Sequence, residues 1–146
     1  MDNNFLIEKM LIGDAESVFE IEKKLIGTGS LEDIKKSMDS DVLHYFVLKQ
    51  NDKVLGFLEI SCLPPEIELF DIAIDSKFQG NGYSKMLMEF LIEFAKEKKC
   101  ETIFLEVNRI NKRAIDLYSK FGFIEYAVRR NYYGENDAIL MKLDLV

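Results

Sequence analysis

A glycine-bearing segment, Asp75-Ser76-Lys77-Phe78-Gln79-Gly80-Asn81-Gly82-Tyr83-Ser84-Lys85, joins an apolar run to a helical one. Glycines at such a junction let the backbone turn tightly and let a ligand come close. The free N–H groups of the helix start and the positive end of its dipole attract phosphate-like anions, and Lys85 adds a point charge. The segment therefore offers a phosphate cradle, with a plain turn as the simpler reading. Three other motifs are excluded. A G-x-G-x-x-G fingerprint needs glycine where Lys85 stands, a P-loop needs G-K-[ST], and a nucleophile elbow needs a final glycine where Met86 stands.

Two further residues have the types needed for proton transfer. In Thr102-Ile103-Phe104-Leu105-Glu106-Val107, alternation puts Ile103, Leu105 and Val107 on one face, and Phe104 with Glu106 on the other. A carboxylate on a covered strand face is desolvated, which suits a general base near neutral pH. A strand-end Glu reaching water, or pairing with Arg109 or Lys112, is the competing reading, and the residues alone leave both open. Tyr118 lies among the apolar positions of the following helical run, between Ala114 and Phe121. It reads either as core with its hydroxyl bonded to backbone, or as a proton donor to a leaving group. Asn111 fits the N-cap of that helix, with ligand contact as the alternative.

These residues need elements to hold them. Phe5 to Leu11 predict a first strand. From Gly13 the apolar positions Ala15, Val18, Phe19, Ile21 and Leu25 have helical spacing, with Asp14 placed to cap. Gly27-Thr28-Gly29-Ser30 breaks this helix, and Leu31 to Met38 form a short second one with Asp33 at the capping-box position. Val42–Leu48 and Lys53–Cys62 read as a hairpin. Glu66–Asp75 is a third β run whose continuous Ile72-Ala73-Ile74 fits a central strand covered on both faces. A long helix follows from about Tyr83 to Lys98, with the stripe Leu87, Phe90, Leu91, Phe94 and Ala95. Thr102–Val107 is a strand and Asn111–Phe121 a helix ended by Gly122. Phe123–Val128 and Ala138–Leu145 read as closing strands around a polar loop. The order β-α-α-β-β-β-α-β-α-β-β predicts an α+β protein, a mixed sheet with helices on its faces.

Composition sets the limits. The chain has 146 residues, 19 Lys+Arg against 26 Asp+Glu, and a net charge of −7. One domain spanning 1–146 is expected at this length. The acid excess argues against nucleic acid as a partner, since that needs Lys/Arg to neutralise phosphates. No apolar run approaches the ~18–20 residues of a membrane span, and Met1-Asp2-Asn3-Asn4 lacks the basic start of a secretory signal. Cys62 and Cys100 match no metal spacing and His44 is the only histidine, so no metal is expected, and both thiols read as reduced core in a cytoplasmic protein.

Taken together, these pieces resemble the GNAT superfamily of acetyl-CoA-dependent N-acetyltransferases. Its Q/R-x-x-G-x-G/A motif is matched by Gln79-Gly80-Asn81-Gly82-Tyr83-Ser84, with Ser84 where Gly or Ala is usual. The likeness narrows to the RimI type, the ribosomal-protein-alanine N-acetyltransferases. It does so through Leu105-Glu106-Val107 with Asn111, Ala114-Ile115-Asp116-Leu117-Tyr118 through Gly122-Phe123, and Arg129-Arg130-Asn131-Tyr132-Tyr133 followed by Asp137-Ala138-Ile139-Leu140-Met141. It spans Leu69 to Leu145, about half the chain. The resemblance implies the GNAT fold, a mixed and mostly antiparallel central sheet flanked by helices. It also implies acetyl-CoA as co-substrate, with Ile72, Ala73 and Ile74 pairing with the pantetheine arm. Gly80, Asn81, Gly82, Tyr83, Ser84 and Lys85 would hold the pyrophosphate, and Asn111 would touch the cofactor. Glu106 would take the proton of the incoming amine, directly or through water. Tyr118 would protonate the departing thiolate in direct transfer within a ternary complex. Tyr132 and Tyr133 would receive a peptide N-terminus.

The implied acceptor is the N-terminal amine, alanine in this type, of a basic ribosomal protein. Residues 1–40 fit such a partner with nine acids and five bases, a net of −4. The stretch Ile26-Gly27-Thr28-Gly29-Ser30 lacks the Pro-Trp-Ser-like segment common in this group, which motivates a lysine side chain or a small-molecule amine as the alternative acceptor. A non-catalytic CoA-sensing module is the reading from another class.

Overall fold

In the computed structural model, residues 4–27 and 29–146 are described; Met1–Asn3 and Thr28, on which parts of the leader and helix-break readings fell, lie outside them. The strands are β1 (Phe5–Lys9), β2 (Leu43–Gln50), β3 (Lys53–Leu63), β4 (Glu66–Ile74), β5 (Thr102–Asn108), β6 (Ile124–Tyr133) and β7 (Asn136–Asp144). The helices are α1 (Ala15–Leu25), α2 (Leu31–Ser37), α3 (Tyr83–Glu97) and α4 (Lys112–Lys120). The expected element order is the observed one, and the α+β class with it.

The seven strands form one sheet in the order β1-β2-β3-β4-β5-β7-β6. Every neighbouring pair is antiparallel except β4–β5. That parallel step follows from α3, which crosses over the sheet between the two strands. Alternating apolar residues feed two cores. On one face Leu87, Met88 and Leu91 of α3 and Tyr118 of α4 pack on Leu58, Ile60, Ile67, Leu69 and Leu105. On the other, Val18 and Ile21 of α1 and Ile34 of α2 pack on Tyr45, Val47, Phe57 and Ala73. Within the apolar run, Ala73 belongs to the second core and Ile74 to the first, which is why the sequence there shows no alternation.

Local chemistry explains most boundaries. Asn51 and Asp52 both have positive φ (50° and 68°), the backbone of a two-residue hairpin turn. Ser30 Oγ accepts the Asp33 N–H at 3.1 Å and starts α2. Asp14 differs from expectation: its carboxylate does not cap α1. It accepts the Leu11 N–H at 2.9 Å and pairs with buried Lys49 at 2.9 Å. Lys49 also reaches Glu8 at 2.7 Å. Burial alone would lower the pKa of Lys49, but the bonds to Glu8 and Asp14 outweigh it and the net shift is upward.

The last hairpin also differs. The polar stretch 129–137 is mostly strand, turning only at Gly134-Glu135, with an irregularity between Arg129 and Tyr133. β6 is a sheet edge exposed along almost its whole length, so polar residues sit there without cost. Asp137 fixes the irregularity by accepting the Asn131 N–H at 2.9 Å. Cys62 and Cys100 are buried free thiols whose sulfurs lie 3.9 Å apart. Burial first, and then the neighbouring sulfur, push the Cys100 thiol up to about 11.

Candidate active site

The site begins with a break in pairing. β4 and β5 pair only from Glu66↔Thr102 to Leu69↔Leu105, although β4 runs on to Ile74 and β5 to Asn108. The register of β4 against β3 jumps at the same place, from Ile60↔Leu69 to Glu59↔Asp71, so Phe70 is an extra residue in β4. Such a bulge bends its strand and ends pairing locally. Past it the β4 edge that would have met β5 is free, and a groove of about 1090 Å³ opens between the strands.

The glycine loop forms one wall. Gln79 Nε2 donates to the Ile74 carbonyl at 3.0 Å, folding the loop against the end of β4. Gly80 and Gly82 have φ of +84° and +80°, and a Cβ on either would meet nothing within 4 Å. Their Cα atoms thus face open space at the start of α3, where the helix N–H groups point outward. Ile72, Ala73, Ile74, Gly80, Gly82, Tyr83, Ser84 and Lys85 all line the groove. Asn81 does not: its side-chain amide donates to the Phe78 carbonyl at 3.0 Å and shapes the loop. Asn111 does both jobs weighed for it, accepting the Ala114 N–H at 3.2 Å as N-cap and lining the groove. Arg113 and Lys120 add cations on α4. Arg109 and Lys112 instead line a separate cavity of about 410 Å³.

Glu106 and Tyr118 both reach this groove. Leu105 and Val107 point into the α3/α4 core, so Glu106 faces the opposite side of the sheet. Its side chain is 23% exposed and pairs with Arg129 Nη2 at 3.2 Å, a partner on β6 rather than the Arg109 or Lys112 considered from sequence. The ion pair leaves Glu106 in the groove wall. Tyr118 comes from the other side, on α4, with its ring against Phe123 at 5.9 Å. It is 8% exposed, and its hydroxyl has no hydrogen-bond partner among the described residues. Burial, then the charge of Asp71 and the nearby Tyr133, push its pKa above the ordinary phenol range, so it holds its proton at neutral pH. Of the tyrosine pair, Tyr133 lines the groove, while Tyr132 is 52% exposed, stacked edge-on against it at 5.0 Å and under Arg129 at 5.3 Å.

One set of groups went unread in the sequence. Asp71 lines the groove, and its carboxylate groups with those of Glu59 and Glu22, all ligand atoms lying within 4.8 Å of one another. Tyr45 donates its hydroxyl to Glu22 Oε2 at 3.2 Å. The signal was present: Glu59 interrupts the apolar Val54–Ile60 just as Glu106 interrupts its own strand. A carboxylate on one strand beside a groove, a buried phenol on a helix opposite, and a glycine loop for phosphates form a frame for acyl transfer from a phosphate-bearing carrier to a nucleophile.

Comparison with known proteins gives that frame its family. The profile of the Acetyltransferase (GNAT) family matches residues 10–123. The [Ribosomal protein bS18]-alanine N-acetyltransferase of Escherichia coli (strain K12) is 39% identical over 104 residues, covering 68% of this chain and 70% of that protein. The Haemophilus influenzae protein of the same name is 32% identical over 142 residues, covering 93% and 96%. The crystal structure of the ribosomal-protein-S18-alanine N-acetyltransferase from Escherichia coli superposes with a TM-score of 0.88 at 31% identity, over 97% of this chain and 94% of that one. The chain belongs to the GNAT acetyltransferase family. It is an acetyl-CoA-dependent N-acetyltransferase, with acetyl-CoA as its co-substrate.

Proposed function

We propose that this enzyme moves the acetyl group of acetyl-CoA onto the N-terminal α-amine, an alanine, of a basic ribosomal protein of the S18 kind. The acceptor is supported by the names of relatives that match almost the full chain. The mechanism rests on one observation: Glu106 from β5 and Tyr118 from α4 line the same groove, which opens where β4 and β5 part. In this reading the glycine loop and the α3 N-terminus hold the pyrophosphate of CoA, with Lys85 beside them. The free edge of Ile72–Ile74 offers backbone groups to the pantetheine arm. The amine enters from the α1 side, attacks the thioester carbon and gives a proton to Glu106 directly or through one water. Tyr118 protonates the sulfur as the C–S bond breaks. Both cysteines are buried outside the groove lining, so the transfer needs no acyl-cysteine.

The test is acetyl transfer to three acceptors: a peptide beginning with alanine, an N-terminally blocked peptide carrying lysine, and spermidine. The alanine peptide is expected to have the highest kcat/KM. Turnover confined to the blocked peptide or to spermidine would refute the acceptor and leave the family standing.

A further inference from the structure

We propose that Asp71, backed by Glu59 and Glu22, holds the acceptor's ammonium group and takes up the first proton it sheds, as a second carboxylate acting beside Glu106. The proposal rests on the acetyl-transfer reading above and adds a residue to it.

The bulge at Phe70 is what puts Asp71 there. Ile67 and Leu69 belong to the α3/α4 core, and unbroken alternation would send Asp71 the same way. The extra residue flips the strand, so Asp71 pairs with Glu59 and Ala73 with Phe57 on the α1/α2 face. Glu106 faces that side too, across the split. The groups facing Asp71 are Glu59 on β3, Glu22 on α1, Tyr118 on α4 and Tyr133 on β6, with Tyr45 on β2 next to Glu59 and Glu22. Tyr133 stands in the field of both Asp71 and Glu106, while Arg129 pairs with Glu106. No Lys or Arg among the described residues pairs with Asp71, Glu59 or Glu22.

Three carboxylates this close cannot all ionise at little cost. Burial first, then the charge of Glu59 and a hydrogen bond with it, then the charge of Glu22, push Asp71 up to about 7. Burial likewise raises Glu59 and Glu22. The cluster thus carries negative charge that no protein cation offsets, and it gains or loses a proton near neutral pH. A second, independent observation points to a ligand here. Tyr118 is buried except at its hydroxyl, which opens on the groove, has no hydrogen-bond partner among the described residues and lies in the field of Asp71. The reacting amine and thioester fit between a carboxylate that binds a cation and a phenol that has only a proton to offer.

The protons balance. R–NH3+ gives one proton to the Asp71 carboxylate, and the nitrogen lone pair forms the C–N bond to the thioester carbon. The C–S bond then breaks with its electrons going to sulfur. The nitrogen loses its second proton to Glu106, and Tyr118 supplies the proton of the CoA thiol. One of the two protons taken up returns to Tyr118 and the other leaves to solvent.

The experiment is a pH profile of kcat/KM with an alanine-initiated peptide whose remaining charges are arginines, which carry no acylatable amine. CoA affinity is measured by calorimetry in parallel. The wild type is expected to lose activity below about 7. Asp71→Asn should lower kcat/KM about 100-fold and abolish that limb, with CoA affinity unchanged. Glu59→Gln removes a negative neighbour and should move the limb about one unit to lower pH. The acceptor's own amine titrates near ~8, and that limb is common to all variants. Asp71→Asn turning over like wild type with the same profile would overturn the proposal while the acetyl-transfer reading stands. If Asp71→Asn does not fold, an unmoved limb in Glu59→Gln overturns it. Activity lost in chelator and restored by a divalent ion would give the three carboxylates to a metal and overturn it as well. A wild type inactive on peptide, blocked lysine and spermidine alike would sink both readings.

Discussion

Tyr118→Phe separates catalysis from packing unusually well. The substitution removes one oxygen atom. The phenyl ring remains against Phe123, and no hydrogen bond is lost, because the hydroxyl has no partner among the described residues. The hydroxyl opens on the groove and keeps its access to water, so folding stability should hold within about 0.5 kcal/mol. The catalytic effect follows from acidity. A thiol of pKa about 8.5 leaves as a fairly stable thiolate, so it needs less help than an amine or alcohol would. The Tyr118 phenol is a weaker acid than usual, raised by burial and by Asp71. Proton transfer from phenol to thiolate is therefore uphill until the C–S bond is nearly broken, which puts the benefit at the low end for a general acid. The expected fall in kcat is about 100-fold, or about 2.7 kcal/mol, rather than 10⁴. Single-turnover acetyl transfer, thermal unfolding and CoA titration are the assays. Unchanged kcat would refute the acid role, and a lowered kcat with a collapsed unfolding midpoint would mean that the hydroxyl is structural.

Four further outcomes are expected. Glu106→Gln should lower kcat by at least 10²-fold with acetyl-CoA affinity retained, read by steady-state kinetics and calorimetry; Gln also loses the Arg129 ion pair, whose exposed guanidinium makes that loss small. Gly56→Ala places a Cβ 2.5 Å from the Ala73 carbonyl oxygen and 2.6 Å from Ile74 Cδ1, forcing β4 to shift where it borders the groove; a cost of about 1–3 kcal/mol and a weaker Kd for CoA should follow. Lys49→Met leaves Glu8 and Asp14 unpaired under α1 and should cost about 3 kcal/mol by urea denaturation. The folded-state pKa of Asp71 lies above its unfolded value, so its stabilisation is complete below about 4 and is lost as pH rises to about 7; the unfolding midpoint should drop between about pH 4 and 7 and level off above, and Glu59→Gln should flatten that drop.

The elements that period and caps could define were legible in the sequence. α3 carries an apolar stripe over four turns, and the hairpin turn at Asn51-Asp52 is written in its residue types. The glycine loop and Asn111 fall where their spacing put them. What escaped was set by register. Alternation read from Leu69 gives Asp71 to the wrong face, and only the pairing with β3 reveals the extra residue at Phe70. Arg129 was hidden for a related reason. Its stretch reads as polar loop, yet an edge strand with both faces wet tolerates polar residues, so polarity there carries no information on backbone state. Asn81 and Tyr132 sit one residue from groove-lining neighbours, and sequence adjacency could not separate a side chain that lines the groove from one that braces it.

The net charge of −7 looks unsuited to a protein that must hold an anionic cofactor, and the split sheet resolves the conflict by separating the two charges in space. On α3 and α4 the groove is lined by Lys85, Arg113 and Lys120 together with Glu89 and Asp116, and the proposed phosphate site adds the N–H groups at the start of α3. Glu22, Glu59 and Asp71 stand on the opposite face of the sheet, where no Lys or Arg among the described residues pairs with them and Arg129 is taken by Glu106. An acidic surface slows approach of CoA only over about one Debye length, ~8 Å at physiological salt, whereas the glycine loop acts at contact. The same surface attracts a positively charged acceptor from further out at low salt. Both the bend that opens the groove and the flip that turns Asp71 into it come from one inserted residue in β4, so the division of charge and the opening for chemistry share a single structural cause.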